Sequence, residues 1–131
     1  MREIVLKEAV ELKLAAQQSM MLVMRLTTAG VIARAGLTVD RLDDIKLAVE
    51  EACSCLIDSK DAPERLCLRF EDKGDCLMIR VCGDGECGGT PVSEDEMSVV
   101  RCILETLVDG VEIRMKGSNI SALELKIALN Q

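Results

Sequence analysis

Asp43-Asp44-Ile45-Lys46-Leu47-Ala48-Val49-Glu50-Glu51-Ala52-Cys53-Ser54-Cys55 is the stretch from which the rest of the chain can be read. Ile45, Ala48, Val49, Ala52 and then Leu56 recur every three to four residues, the spacing of one helix face turned towards a core. Thr38 or Asp40 is placed to cap this helix, and Asp43 and Asp44 fall in its first turn, where the helix dipole favours negative charge. The helix is expected to end near Lys60, and Pro63 breaks the chain beyond it. Glu51 and Cys55 lie four residues apart and so share a face. Taken by spacing alone, that pair is an ordinary solvated carboxylate beside a half-buried thiol.

Upstream, Arg2 to Val10 alternates loosely and predicts a strand. Leu14, Met21, Met24, Thr28, Val31 and Ala35 then follow helical spacing, and Gly36 is placed to end that helix. Met20, Leu22, Val23 and Leu26 widen its apolar stripe beyond one face, so this helix is expected to be covered on two sides, as a central helix of the fold in the favoured reading, with cover by a partner subunit as the alternative. Downstream, residues 65–71 and 76–81 predict two strands joined at Asp72-Lys73-Gly74-Asp75. A glycine-rich loop from Gly83 to Glu94 leads to a third helix, about Glu96 to Asp109, expected to bury Val99, Val100, Ile103, Leu104 and Leu107. Residues 111–115 and 120–125 form a last hairpin around Lys116-Gly117-Ser118-Asn119. The order β-α-α-β-β-α-β-β implies an α+β fold, a two-layer sandwich with helices on one face of the sheet. At 131 residues the chain is expected to form a single domain over 1–131.

Composition narrows the chemistry. The sequence has no His, Trp or Tyr, one Phe, seven Cys and seven Met, with 16 basic against 23 acidic residues for a net charge of −7. Without His there is no Ser-His-Asp triad, Cys-His dyad or imidazole metal ligand. An acidic chain nearly devoid of aromatic rings is unsuited to nucleic acid. The longest uncharged run, Leu14 to Met24, is too short to span a bilayer, so no membrane partner is expected. The chain opens without a secretory signal pattern, and its odd number of scattered cysteines suits a reducing cytoplasm. Cys53-x-Cys55 and Cys82-x4-Cys87 lack zinc-knuckle spacing, so thiols packed as small hydrophobes are expected, and no metal. Asp84, Glu86, Glu94, Asp95 and Glu96 put five carboxylates and no base across the glycine-rich loop. A phosphate cradle needs converging N–H donors with a cation or helix N-terminus, so this loop is read as acidic and solvated.

The stretch Asp43 to Cys55 resembles the first motif of the RsbW-type anti-sigma factors, serine protein kinases with the histidine kinase-like (GHKL, Bergerat) ATP-binding fold. Met24-Arg25-Leu26-Thr27 with Gly30 resembles the family's first helix, and Leu104 to Val111 its last helix and following strand. The resemblance implies that Glu51 takes the place of the family's catalytic glutamate, as a vestigial residue. Cys55 stands where the family has the asparagine that coordinates Mg²⁺, and a neutral thiol is a poor ligand for a hard cation. In the family's Asp-x-Gly-x-Gly motif, registered on Val81, the adenine-binding aspartate falls on Gly83, the first glycine on Gly85 and the second on Cys87. A shift of one residue puts Asp84 in the aspartate place, but Glu86 then replaces a glycine. Ser121 matches a hydroxyl near adenine. Glu96-Met97-Ser98-Val99-Val100 lacks the glycine-rich turn under the phosphates, and the ATP lid is short.

The resemblance therefore implies a regulatory protein acting by protein–protein binding, with its nucleotide site largely lost and no cofactor expected. Its partners would be a sigma factor or an anti-anti-sigma-like protein, with a homodimer as the expected assembly. One alternative is an active serine kinase using Mg-ATP. A second is a thiol redox or metal switch with Cys55, Cys82 and Cys87 gathered at the remnant site.

Overall fold

A computed structural model describes residues 9–58, 62–84, 90–91, 93–117 and 119–129. Strand β1 (Ala9–Ala15) is followed by a 3₁₀ turn at Gln18–Met20 and helices α1 (Met21–Ala35) and α2 (Val39–Ile57). Strands β2 (Arg65–Asp72), β3 (Cys76–Asp84) and the short β4 (Thr90–Pro91) precede helix α3 (Glu94–Leu107), and β5 (Gly110–Lys116) and β6 (Asn119–Ala128) complete the order. The α+β architecture read from the sequence is present, with β4 and the 3₁₀ turn added.

The sheet is antiparallel and runs β1-β2-β3-β6-β5. β4 also pairs with β6, opposite Ile120 and Asn119; β5 flanks those residues on one side, so β4 continues the lane of β3 on the other. One face carries Leu66, Leu68 and Phe70 of β2, Leu77, Ile79 and Val81 of β3, and Leu123, Leu125 and Ile127 of β6, all buried. Alternation along each strand sends Arg65, Cys67, Arg69, Arg80, Cys82, Asp84 and Glu124 to the opposite face. Helix α2 packs on β3 and β6 between α1 and α3, and its Ile45, Ala48, Val49, Ala52, Cys53 and Leu56 are buried.

The boundaries bring corrections. The first described strand occupies 9–15, and α1 begins at Met21, so Leu14 is a strand residue facing Leu66 across β1 and β2. Leu12 and Leu14 turn inward between Glu11, Lys13 and Ala15, a period of two that the helical count through Leu14 obscured. Residues 2–8 of the expected strand lie outside the described residues. Gly36 does end α1, with φ 79°, a left-handed conformation that glycine adopts without strain. Thr38 caps α2, its hydroxyl accepting from the Arg41 N–H at 3.4 Å, and α2 stops at Ile57.

Helix α3 differs most. It starts at Glu94 because Ser93 and Glu96 form a reciprocal capping box: Ser93 Oγ accepts from Glu96 N–H at 3.1 Å, and the Glu96 carboxylate accepts from Ser93 N–H at 3.2 Å. Three of the five acids assigned to a solvated loop are thus the first turn of this helix. Val99 and Ile103 are exposed, contrary to expectation; Leu104 is buried, with Met97, Val100 and Leu107 packed at its side. The core takes only one narrow edge of α3.

Candidate functional site

Glu51 and Cys55 sit one turn apart on α2, both half-buried. The neighbouring Glu50 is engaged elsewhere: its carboxylate accepts from Arg25 Nη2 at 2.8 Å, tying α2 to α1. Burial pushes the Cys55 thiol up to about 11, with the charges of Glu51 and Asp58 adding to the shift. Cys53, deeper in the core, is pushed up to about 12 by burial first and then by Cys55 and Glu50. Both are therefore protonated thiols near neutral pH, packed as small apolar groups.

Gly83 and Asp84 end β3 and point in opposite directions. Gly83 follows Val81 at two-residue spacing and so turns to the helix-covered face. A Cβ placed there would lie 2.8 Å from both Cβ and Cγ of Pro63, closer than real side chains approach one another. Pro63 is buried, and the Ala16 N–H donates to the Glu64 carbonyl at 3.1 Å, holding the adjoining backbone against the end of β1. Glycine is required at 83 by space, and the ring opposite it is too stiff to step aside. Asp84 lies on the other face, 3.2 Å from Arg65 Nη2, its partner across β2 and β3. The shifted register that would make Asp84 the adenine ligand thus aims it away from the helix layer.

Ser121 occupies a bulge in β6, where the β5 register slips between Arg114 and Met115. Its hydroxyl donates to the Arg114 carbonyl at 3.1 Å. The β3–β6 ladder ends at Cys82 opposite Ala122, so Ser121 lies one step past that pair, beside the level of Gly83. Gly85, Glu86 and Cys87 lie outside the described residues.

Cys82 does not join Cys55. It stands on the sheet face away from the helices, directly opposite Cys67 of β2, so the expected gathering of Cys55, Cys82 and Cys87 fails at its first two members. Among the described residues no group of three or more His, Cys, Asp or Glu is placed to hold a metal ion, and no helix is long and apolar enough to cross a membrane. Sequence reading missed the Pro63–Gly83 contact and the Ser93–Glu96 box. The second was visible as Ser-x-x-Glu ahead of an apolar run. The first joins residues twenty positions apart and carries no local signal.

No protein-family model matches the sequence. The chain is similar to the serine-protein kinase RsbW of Bacillus subtilis, 34% identical over 80 residues that make up 59% of this chain and 50% of that protein. It is also similar to the serine-protein kinase RsbW of Halalkalibacterium halodurans, 28% identical over 132 aligned positions covering 88% of this chain and 82% of that one. The chain thus spans about half the length of the first relative and most of the second. In fold it is similar to a crystal structure of the RsbU and RsbW domains of a Mycobacterium tuberculosis protein, with a TM-score of 0.70 and 16% identity over 95% of this chain and 33% of that one. The relatives similar in sequence are RsbW serine-protein kinases, and the similarity to the solved chain is one of fold.

Proposed function

We propose that this chain is an anti-sigma-factor-like regulator that works by binding other proteins, with its nucleotide site largely lost. The observation that carries the reading is Pro63 seated against Gly83, 2.8 Å from where a side chain would begin, at the place the family resemblance reserves for the adenine-binding aspartate. Cys55, at the place of the metal-binding asparagine, offers a protonated thiol where Mg²⁺ wants oxygen. Ser121 has its proton committed to a backbone carbonyl. On this reading the residues present do not fit Mg-ATP, Glu51 is vestigial, and no chemical step passes through the nucleotide.

The remaining expectations belong to the same proposal: one histidine kinase-like domain over residues 1–131 with a short lid, a cytoplasmic setting, and a sigma factor or anti-anti-sigma-like protein as partner. A homodimer is part of it, supported by the exposed Leu22, Val23 and Leu26 on α1. Calorimetric titration of the chain with Mg-ATP tests the central claim. No heat of binding is expected, whereas micromolar affinity together with phosphate transfer to a serine of an anti-anti-sigma protein overturns it.

A further inference from the structure

Cys67 and Cys82 are the one pair of cysteines among the described residues that face each other across neighbouring strands. They sit in the middle of the sheet face that no described helix covers, half-buried and lining a groove of about 160 Å³ with Lys13, Arg69 and Arg80. Residues directly opposed in an antiparallel pair have Cα atoms ~4.5–5.5 Å apart, within the ~4.4–6.8 Å that a disulfide spans. The geometry points to Cys67 and Cys82 as a reversible dithiol site that a peroxide converts to a cross-strand disulfide.

The two sulfurs are not equivalent. Burial and the neighbouring Cys67 raise the Cys82 thiol, Asp84 adds to this and Arg80 opposes it, and the Cys82 S–H is hydrogen-bonded to Cys67. Cys82 is thus the sulfur that donates, and Cys67 is the register partner of Lys13 across β1 and β2. In the first step the Cys67 sulfur, giving up its proton, attacks one peroxide oxygen. The S–O bond forms, the O–O bond breaks, and the departing hydroxide takes up a proton to become water. The Cys82 sulfur then attacks the Cys67 sulfenic acid: the S–S bond forms, the S–O bond breaks, and the Cys82 proton leaves with the hydroxyl as a second water. In sum, two thiols and one hydrogen peroxide give one disulfide and two waters, and a dithiol reductant reverses the change.

The other described cysteines lack this combination. Cys53 and Cys55 are held as thiols on α2. Cys76 is buried and raised by that burial and by Asp75, and Cys102 is exposed on α3. The site is independent of the nucleotide reading, because it lies on the other side of the sheet from Gly83 and Cys55.

Treating the folded full chain with hydrogen peroxide, quenching with an alkylating agent and mapping the peptides by mass spectrometry tests the site. A Cys67–Cys82 linkage, two hydrogens lighter than the reduced pair and reopened by dithiothreitol, is expected as the dominant cross-link. In C82S, dimedone is expected to trap a sulfenic acid on Cys67, and C67S is expected to lose the linkage. The proposal is overturned if Cys82 pairs mainly with Cys87, if chains cross-link through Cys102 instead, or if peroxide leaves both thiols alkylatable. The unsubstituted chain decides among these outcomes even if a variant fails to fold.

Discussion

Helices α1 and α2 lie side by side and are joined by the Arg25–Glu50 ion pair, yet they relate to the core in different ways. Helix α2 buries its core stripe of Ile45, Ala48, Val49, Ala52, Cys53 and Leu56 against the sheet and its neighbours, leaving Val39 at its start and Leu47 on its outer side in solvent. Helix α1 buries Met21, Met24, Thr28 and Ile32 but leaves Leu22, Val23 and Leu26 in solvent, with Leu26 65% exposed. Burying an apolar side chain stabilises by ~1.5–3 kcal/mol, so the outer face of α1 holds stabilisation that this fold leaves unused. Helix α2 is what the domain needs in order to fold. Helix α1 keeps an apolar outer face, the one the proposed homodimer would cover.

The sharpest test of that contrast is Ile45→Ala on α2. Ile45 is fully buried, and the truncation is expected to cost about 2–5 kcal/mol in urea unfolding. A cost near zero would dissolve the distinction between the helices. Next in size is Gly83→Asp, which places the family's carboxylate beside α2. Collision with Pro63 is expected to cost about 1–3 kcal/mol, and Mg-ATP binding measured by calorimetry should remain absent. A stable variant that binds nucleotide would show that Pro63 does not close the site to a carboxylate at 83.

Smaller effects should follow on the outer surface. Exchanging Leu26 for Glu is expected to change stability by no more than about 0.5 kcal/mol, while shifting sedimentation from the proposed dimer towards monomer. If sedimentation is unchanged by a charge placed there, the outer face of α1 is not the interface of the proposed dimer. A last effect of similar size concerns the tether of α2 to the far corner of the domain. Asp109 accepts from the Ala128 N–H at 2.8 Å and from Arg41 at 2.6 Å, and the first of these chiefly holds its carboxyl below the ordinary value, with Arg41 adding and partial burial opposing. A lowered folded pKa contributes stability that is present above the unfolded value near 3.8 and is lost as pH falls through the folded one. Asp109→Asn should therefore lower stability at pH 7 by less than about 1 kcal/mol, as for other exposed ion pairs. The variant's stability should also change less than the parent's as pH falls below 4.

What the sequence disclosed follows the same division. The α2 stripe and the two hairpins were legible because local periodicity and turn residues fix them. The start of α1 was misread because Leu14 fits both a helical count from Met21 and a strand count from Leu12. The exposure of Val99 and Ile103 could not be read either, since an amphipathic pattern does not report how wide a strip the sheet will cover. Of the proposed site, the thiol at 55 and the glycine at 83 drew notice only through the family resemblance. The pressure of Pro63 on Gly83 was not, because it depends on the chain folding back after α2. The pairing of Cys67 with Cys82 required the strand register, which no single-strand pattern supplies.

The close approach of Pro63 to Gly83 also bears on how this chain can change over generations. An aspartate arriving at 83 meets the proline ring, and a replacement of the proline arriving first opens space that a glycine cannot use. Each single step loses packing and gains no ligand contact, so only the two together could be favoured. On the proposed function, the contact acts as a ratchet on the lineage, holding a protein with this geometry to surface recognition.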